Sequence, residues 1–211
     1  MPARVAKCNR LTMPCRIFGE ASFFEVSLRF FEVDMSGKVI IDEQTMNRTL
    51  ARLSHEIIER NADQTELYLI GIKRRGVPIA EKLRENIEKF SDIKVKIGEL
   101  DITLYRDDLT ERYVSPHVNG TVIDFDVNEK NIILVDDVLF TGRTARAAME
   151  AVIGLGRPSV IQLAVMIDRG HRELPICANY VGKNVPTSKE EFVNVRLLEI
   201  DGVTEVAISK G

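Results

Sequence analysis

Between Asp42 and Arg60 the apolar residues Met46, Leu50, Leu53 and Ile57 recur at spacings of four, three and four. That spacing gathers them on one face of a helix whose opposite side is charged. Leu67 to Ile72 is a short apolar run ending in Gly71-Ile-Lys-Arg-Arg-Gly76, the outline of a buried strand that enters a glycine-bounded loop. Leu83 and Ile87 then mark a second helix. Ile93, Val95 and Ile97 alternate with polar residues, as do Leu100, Ile102 and Leu104, so two strand-like stretches are predicted on either side of Gly98 and Glu99. Residues 106–121 are polar and aperiodic and read as a long loop, either an active-site lid or a disordered segment. Ile132 to Val135 is the next buried strand, a helix runs from about Gly142 to Leu155, Gly156 ends it, and Val160 to Ile167 is another strand. Repeated strand–helix–strand units imply an α/β fold with a parallel sheet covered on both faces. From Tyr180 to Ser209 the chain is strand-rich, with turns at Asn184-Val185-Pro186 and Asp201-Gly202.

Composition adds bounds rather than chemistry. The 211 residues are 45% hydrophobic and 29% charged, the balance of one globular domain with an extension. Residues 1–34 hold two of the three cysteines and five of the nine phenylalanines, with no acidic residue before Glu20. They are expected to be an N-terminal extension, disordered or read from a start codon upstream of a true start at Met35, ahead of a catalytic domain over 35–211. The absence of a continuous apolar core and the scarcity of serine argue against a targeting peptide. A net charge of -3 gives no global attraction to nucleic acid, so any RNA contact must come from a local basic patch. Cys8, Cys15 and Cys177 make no CxxC pair, which fits a reducing cytoplasm. No run approaches the roughly 18 apolar residues of a membrane span, so a soluble protein is expected.

The chemistry concentrates in Asn131-Ile-Ile-Leu-Val-Asp-Asp-Val-Leu-Phe-Thr-Gly-Arg-Thr144. Four apolar residues deliver Asp136 and Asp137 to the carboxyl edge of the sheet, where open α/β folds bind ligands. Leu139, Phe140, Thr141, Gly142, Arg143 and Thr144 follow, and the unsatisfied N–H groups of the helix they open favour a phosphate. Adjacent carboxylates before such a cradle suit a molecule with vicinal hydroxyls and a terminal phosphate. A ribose 5-phosphate meets that description. A lone Asp-Asp would more readily be a polar turn, but the whole run resembles the signature of type I phosphoribosyltransferases. No Walker-type GxxxxGK[ST] loop occurs.

The resemblance extends from about Val39 to Ser209, over which the chain resembles the PyrR family of pyrimidine-operon attenuation regulators that are also uracil phosphoribosyltransferases. Gly71-Ile-Lys-Arg-Arg-Gly76 matches that family's pyrophosphate loop and Glu99-Leu-Asp-Ile-Thr-Leu-Tyr-Arg-Asp-Asp108 its catalytic arm. Val165-Met-Ile-Asp-Arg-Gly-His-Arg-Glu-Leu-Pro175 matches its base-side segment, and Gly182-Lys-Asn-Val-Pro-Thr-Ser188 also agrees. The resemblance implies a type I phosphoribosyltransferase fold, with a central parallel sheet flanked by helices and a small hood. It implies that Lys73, Arg74 and Arg75 hold the diphosphate of 5-phosphoribosyl 1-diphosphate (PRPP). Tyr105 and Arg106 would arrive on the arm, Asp136 and Asp137 would hold the ribose hydroxyls, and Arg169 would stand in the base pocket. Mg²⁺ would come in with the diphosphate, with no metal site of the protein's own. Where the family usually has threonine, this chain has Arg74.

Arg48, Arg52, His55 and Glu59 fall on a second stripe of the first helix, opposite the apolar one. Glu56 and Glu59 dilute it, so its spacing alone describes a solvated face. The resemblance implies more: an RNA-binding surface of a homodimer or higher oligomer, with Arg52, His55, Arg60, His171, Arg172 and Lys183 on pyrimidine-operon leader RNA and UMP or UTP as effector. Two positions depart from the family, Ala51 in place of threonine and Cys177 in place of a basic residue. His55, His117 and His171 lack ligand-like spacing, which argues against zinc. An RNA-binding nucleotide sensor with little catalysis and a phosphoribosyltransferase for another base remain the alternatives.

Overall fold

The computed structural model describes residues 37–102 and 120–210. The expectations for residues 1–34, for His117 and for the arm residues Tyr105 and Arg106 fall outside them. Eight strands and four helices are described: β1 (Lys38–Ile41), α1 (Glu43–Arg60), β2 (Glu66–Ile72), α2 (Gly76–Phe90), β3 (Lys94–Leu100), β4 (Asn131–Leu139), α3 (Arg143–Leu155), β5 (Val160–Asp168), β6 (Tyr180–Asn184), β7 (Glu191–Arg196), α4 (Leu198–Asp201) and β8 (Glu205–Lys210).

A five-stranded sheet in the order β3-β2-β4-β5-β6 is parallel throughout. A second sheet, β1-β8-β7, is antiparallel and forms the small hood. α1 begins where the Asp42 carboxylate accepts a hydrogen bond from the Thr45 N–H at 2.8 Å, a side-chain cap for an otherwise orphaned donor. Met46, Leu50, Leu53 and Ile57 are all buried on its inner face. With Ile79, Leu83 and Ile87 of α2 they form one core layer on the sheet, which continues into Val195 and Val206 of the hood. α3 covers the opposite face through Ala145, Ala148, Ala151 and Val152, packed on Ile132 and Leu134. Each large aliphatic side chain so buried contributes about 1.5–3 kcal/mol, and small residues along α3 let it lie close to the sheet.

Two predicted boundaries change. Val95 and Leu100 belong to one continuous strand, not to two stretches around Gly98-Glu99. Val95 and Ile97 pack in the α1–α2 layer, whereas Leu100 packs in the α3 layer. The edge strand switches its buried face part-way, and the change of phase mimics a break. β4 likewise runs on past Val135, with Asp136 still in register with Val165, so the acidic pair lies within the strand. The turn at Asp201-Gly202 holds, with Gly202 in the left-handed region at φ 73°.

Candidate active site

β2 is followed by a crossover to β3 on one side, whereas β4, β5 and β6 build outward on the other. The boundary between β2 and β4 is therefore a topological switch point, the place where an open parallel sheet leaves a crevice at its carboxyl edge. A cleft of about 470 Å³ opens there, lined by Ile72, Lys73, Arg74, Arg75, Asp101, Ile102, Asp136, Asp137, Val138 and Thr144. All ten belong to segments singled out in the sequence: four to the loop after β2, four to the acidic strand and the helix start that follows it, and Asp101 and Ile102 to the start of the arm matched over residues 99–108.

Each wall has a local cause. The loop after β2 passes so close to β4 that a Cβ at Gly76 would sit 2.2 Å from the Val135 carbonyl oxygen, so glycine is required for α2 to start beside the acidic pair. The Lys73 N–H donates to the Leu100 carbonyl at 2.9 Å, and the Lys73–Arg74 peptide bond is cis. Lys73 Nζ pairs with Glu99 at 3.1 Å and Arg75 with Asp201 at 2.9 Å. Burial opposes ionisation of Asp201, but its bonds from Arg75 and the Leu197 N–H hold its carboxyl below the ordinary range.

Asp136 is 9% exposed. Burial, reinforced by the Asp137 charge, pushes its carboxyl well above the ordinary carboxylate range. Burial also raises Asp137, opposed by its hydrogen bond with Asp136 and by the Arg75 charge. The Asp137 N–H donates to Asp136 Oδ1, and the Val138 N–H to Asp137 Oδ1, each at 2.9 Å. Two crowded carboxylates that resist joint ionisation are poised to accept hydrogen bonds from a ligand's hydroxyls. Beside them α3 opens at Gly142, in the left-handed region at φ 93°, with no side-chain cap. α2 also opens without one. Both helix ends thus offer backbone donors near the cleft, where an anion is favoured.

The segment after β5 braces residues 141–143. Thr141 O accepts from the Glu173 and Leu174 N–H groups at 3.0 and 3.2 Å, and Arg143 pairs with Glu173 at 2.8 Å.

A family model described as a phosphoribosyl transferase domain matches residues 37–200. A bifunctional protein PyrR of Clostridium novyi is 61% identical over 170 residues, covering 81% of this chain and 96% of that protein. Another from Clostridioides difficile is 57% identical over 171 residues, covering 81% and 97%. This chain belongs to the PyrR family of phosphoribosyltransferases. Among solved structures, a Bacillus anthracis hypoxanthine-guanine phosphoribosyltransferase shares the fold at a TM-score of 0.62 and 18% identity, over 82% of this chain and 97% of that one.

Other residues that the PyrR resemblance singled out are placed less simply. Arg169 is buried and stacks 4.1 Å over the Phe140 ring. Its Nε donates to Thr187 Oγ1 at 3.0 Å and its Nη2 to the carbonyls of Ser188 and Glu191, so it ties the hood to Phe140, the residue before Thr141. His171 lies at φ 59°, bonds the Thr187 carbonyl and packs edge-on to Phe140 at 5.9 Å. Arg172 turns inward altogether: Nε donates to Ile176 O at 3.0 Å, Nη1 to the carbonyls of Leu139, Phe140 and Gly170 at 3.3, 2.6 and 3.1 Å, and Nη2 to Asp168. Each nitrogen of the guanidinium thus already serves an acceptor of the protein's own. Asp168 was missed, although Asp168 and Arg172 stand four apart in the base-side string. On α1, Arg52 pairs with Glu56 and donates to the Val181 and Gly182 carbonyls at 3.0 and 2.6 Å. His55 stacks on Phe90 at 4.4 Å, and Arg60 lies 5.8 Å from the Tyr180 ring. Lys183 is exposed on β6.

Proposed function

We propose that the chain transfers the phosphoribosyl group of PRPP to uracil, giving UMP and diphosphate, and that the same site reports uridine nucleotides to an RNA-binding face. The observation that carries this reading is Asp136-Asp137 at the switch point, beside the uncapped start of α3. Vicinal ribose hydroxyls donate to the two carboxylates, and the 5-phosphate is taken by the N–H groups of residues 141–144 and the Thr141 and Thr144 hydroxyls. The loop of Lys73, Arg74 and Arg75 stands across the cleft for the diphosphate. A uracil nitrogen forms its bond to the anomeric carbon as the bond to diphosphate breaks, and the proton of that nitrogen leaves with the departing diphosphate. Positive charge that develops on the sugar is offset by the acidic pair, so no protein nucleophile is needed. Tyr105 and Arg106 are proposed to close over the cleft and exclude water.

Among the described residues no cluster of three metal-ligating side chains occurs. Two cleft carboxylates fit Mg²⁺ as that ion usually binds, through one or two carboxylates and the substrate's phosphates with waters retained. Asp136 and Asp137 are the residues that would face it, and it would neutralise diphosphate charge. Arg169 acts on the base side by fixing Phe140 and residues 187–191 rather than by a free donor. None of the described helices is long and apolar enough to cross a membrane; the proposed location is the cytoplasm, in a homodimer or larger oligomer.

The cradle itself does not choose the base; family membership favours uracil. Comparing uracil, hypoxanthine, guanine and adenine as acceptors with PRPP tests it, with turnover on uracil alone expected. Preferential turnover of a purine would reject the uracil reading. Asp137→Asn is expected to reduce uracil-dependent transfer at least about 100-fold, the scale of losing a group that acts on the transition state, while the protein remains folded by circular dichroism. An unchanged rate would overturn the site assignment.

A further inference from the structure

Three consecutive cations follow β2, but they are not equivalent. Lys73 is held by Glu99 at 3.1 Å, and its N–H is tied to β3. Arg75 is held by Asp201 at 2.9 Å, a carboxylate that also caps the Leu197 N–H. Arg74 is exposed, lines the cleft, and has no ion pair or hydrogen bond among the described residues. Its guanidinium is therefore the loop's one uncommitted cation. A neutralised pair must lose its partner before it can meet a phosphate, whereas a free guanidinium meets one by a bidentate contact with nothing to break.

We infer that Arg74 is the side chain that sets affinity for diphosphate-bearing ligands in this cleft, with Lys73 and Arg75 acting chiefly to shape the loop that presents it. This rests on the proposed PRPP site and deepens it. Its consequence is selective. PRPP and product diphosphate reach the loop, whereas UMP carries only the ribose 5-phosphate end, which belongs to Asp136, Asp137 and the start of α3. Arg74 thus weights the competition between PRPP and UMP for one site, and with it the nucleotide level at which that site is filled by UMP.

Binding of magnesium diphosphate and of UMP to the full chain, measured separately by titration calorimetry, tests this. Arg74→Thr is expected to weaken diphosphate roughly 10-fold, the scale of one charge-assisted contact in a cleft open to water, and to leave UMP unchanged. Arg74→Lys, with charge but no fork, is expected to fall between. In turnover, Arg74→Thr raises KM for PRPP with kcat held, the signature of a contact made equally in ground and transition states. Diphosphate affinity equal to that of the unaltered chain, or an equal loss for UMP, overturns the inference. Because diphosphate is common to transfer to any base, these titrations decide the role of Arg74 even if uracil proves not to be the acceptor. Failure of the unaltered chain to bind diphosphate overturns the inference and the PRPP reading together.

Discussion

Asp136 and Asp137 carry opposed demands. The fold buries both carboxyls, and burial raises the affinity of each for a proton. A carboxyl whose folded pKa is raised stabilises the fold fully below its unfolded pKa, and that contribution is lost as pH rises through the folded value. The free protein is therefore expected to lose stability as pH climbs above the ordinary carboxylate range. Asp136→Asn removes the larger of the two titrations. It is expected to raise the melting temperature at neutral pH, flatten its pH dependence and depress transfer. Parallel melting profiles for the two proteins across pH would show that the acidic pair is not strained. The acidic pair proposed to hold the ribose was legible because four buried apolar residues running into two adjacent acids are unusual. Their supports were not: Glu99, Asp168 and Asp201 are ordinary surface acids in sequence, and only the fold pairs them with Lys73, Arg172 and Arg75.

At the scale of elements, helices were read closely because the apolar stripe of α1 repeats over eighteen residues, giving many coincident signals. β3 was misread because an edge strand buried on opposite faces along its length shows two alternations out of phase. The base-side string was legible as a motif but not as a scaffold. Arg172 gathers acceptors from β4, from the phosphate loop and from its own segment, and an arginine that folds back this way looks in sequence like any surface cation. Arg172→Met is expected to leave Asp168 unpaired and release the Leu139 and Phe140 carbonyls. The pair is mostly buried, with side-chain exposures of 21% and 18%, so the cost is on the order of 2 kcal/mol, or roughly 5 °C in melting temperature. PRPP binding should weaken with it, since the loop proposed to donate to the 5-phosphate loses its frame. A variant that melts like the unaltered protein and keeps its KM for PRPP would mean that Glu173 and Leu174 hold the loop alone.

The whole molecule sets the terms for RNA. With a net charge of -3, affinity cannot come from a general field and must come from a patch. Arg172 faces inward, and Arg52 is shared between Glu56 and two carbonyls. With His171 bonded to the Thr187 carbonyl, the proposed face therefore leans most on His55, Arg60 and Lys183, from two separate elements, α1 and β6. An oligomer would multiply so small a patch, which is why assembly and RNA binding belong to one proposal. Each phosphate neutralised contributes to the salt dependence of binding, with a slope in log K against log salt of roughly 0.7 per contact for single-stranded segments. Arg60→Ala should lower that slope by about one contact. Arg172→Met should weaken UMP-dependent binding through the nucleotide site and leave the slope as it was. Filter binding to a pyrimidine-operon leader RNA across a salt series, with and without UMP, distinguishes the two. A slope lowered equally by both variants would return Arg172 to the RNA face. No binding at low salt with UMP present would remove the regulatory reading and leave an enzyme alone.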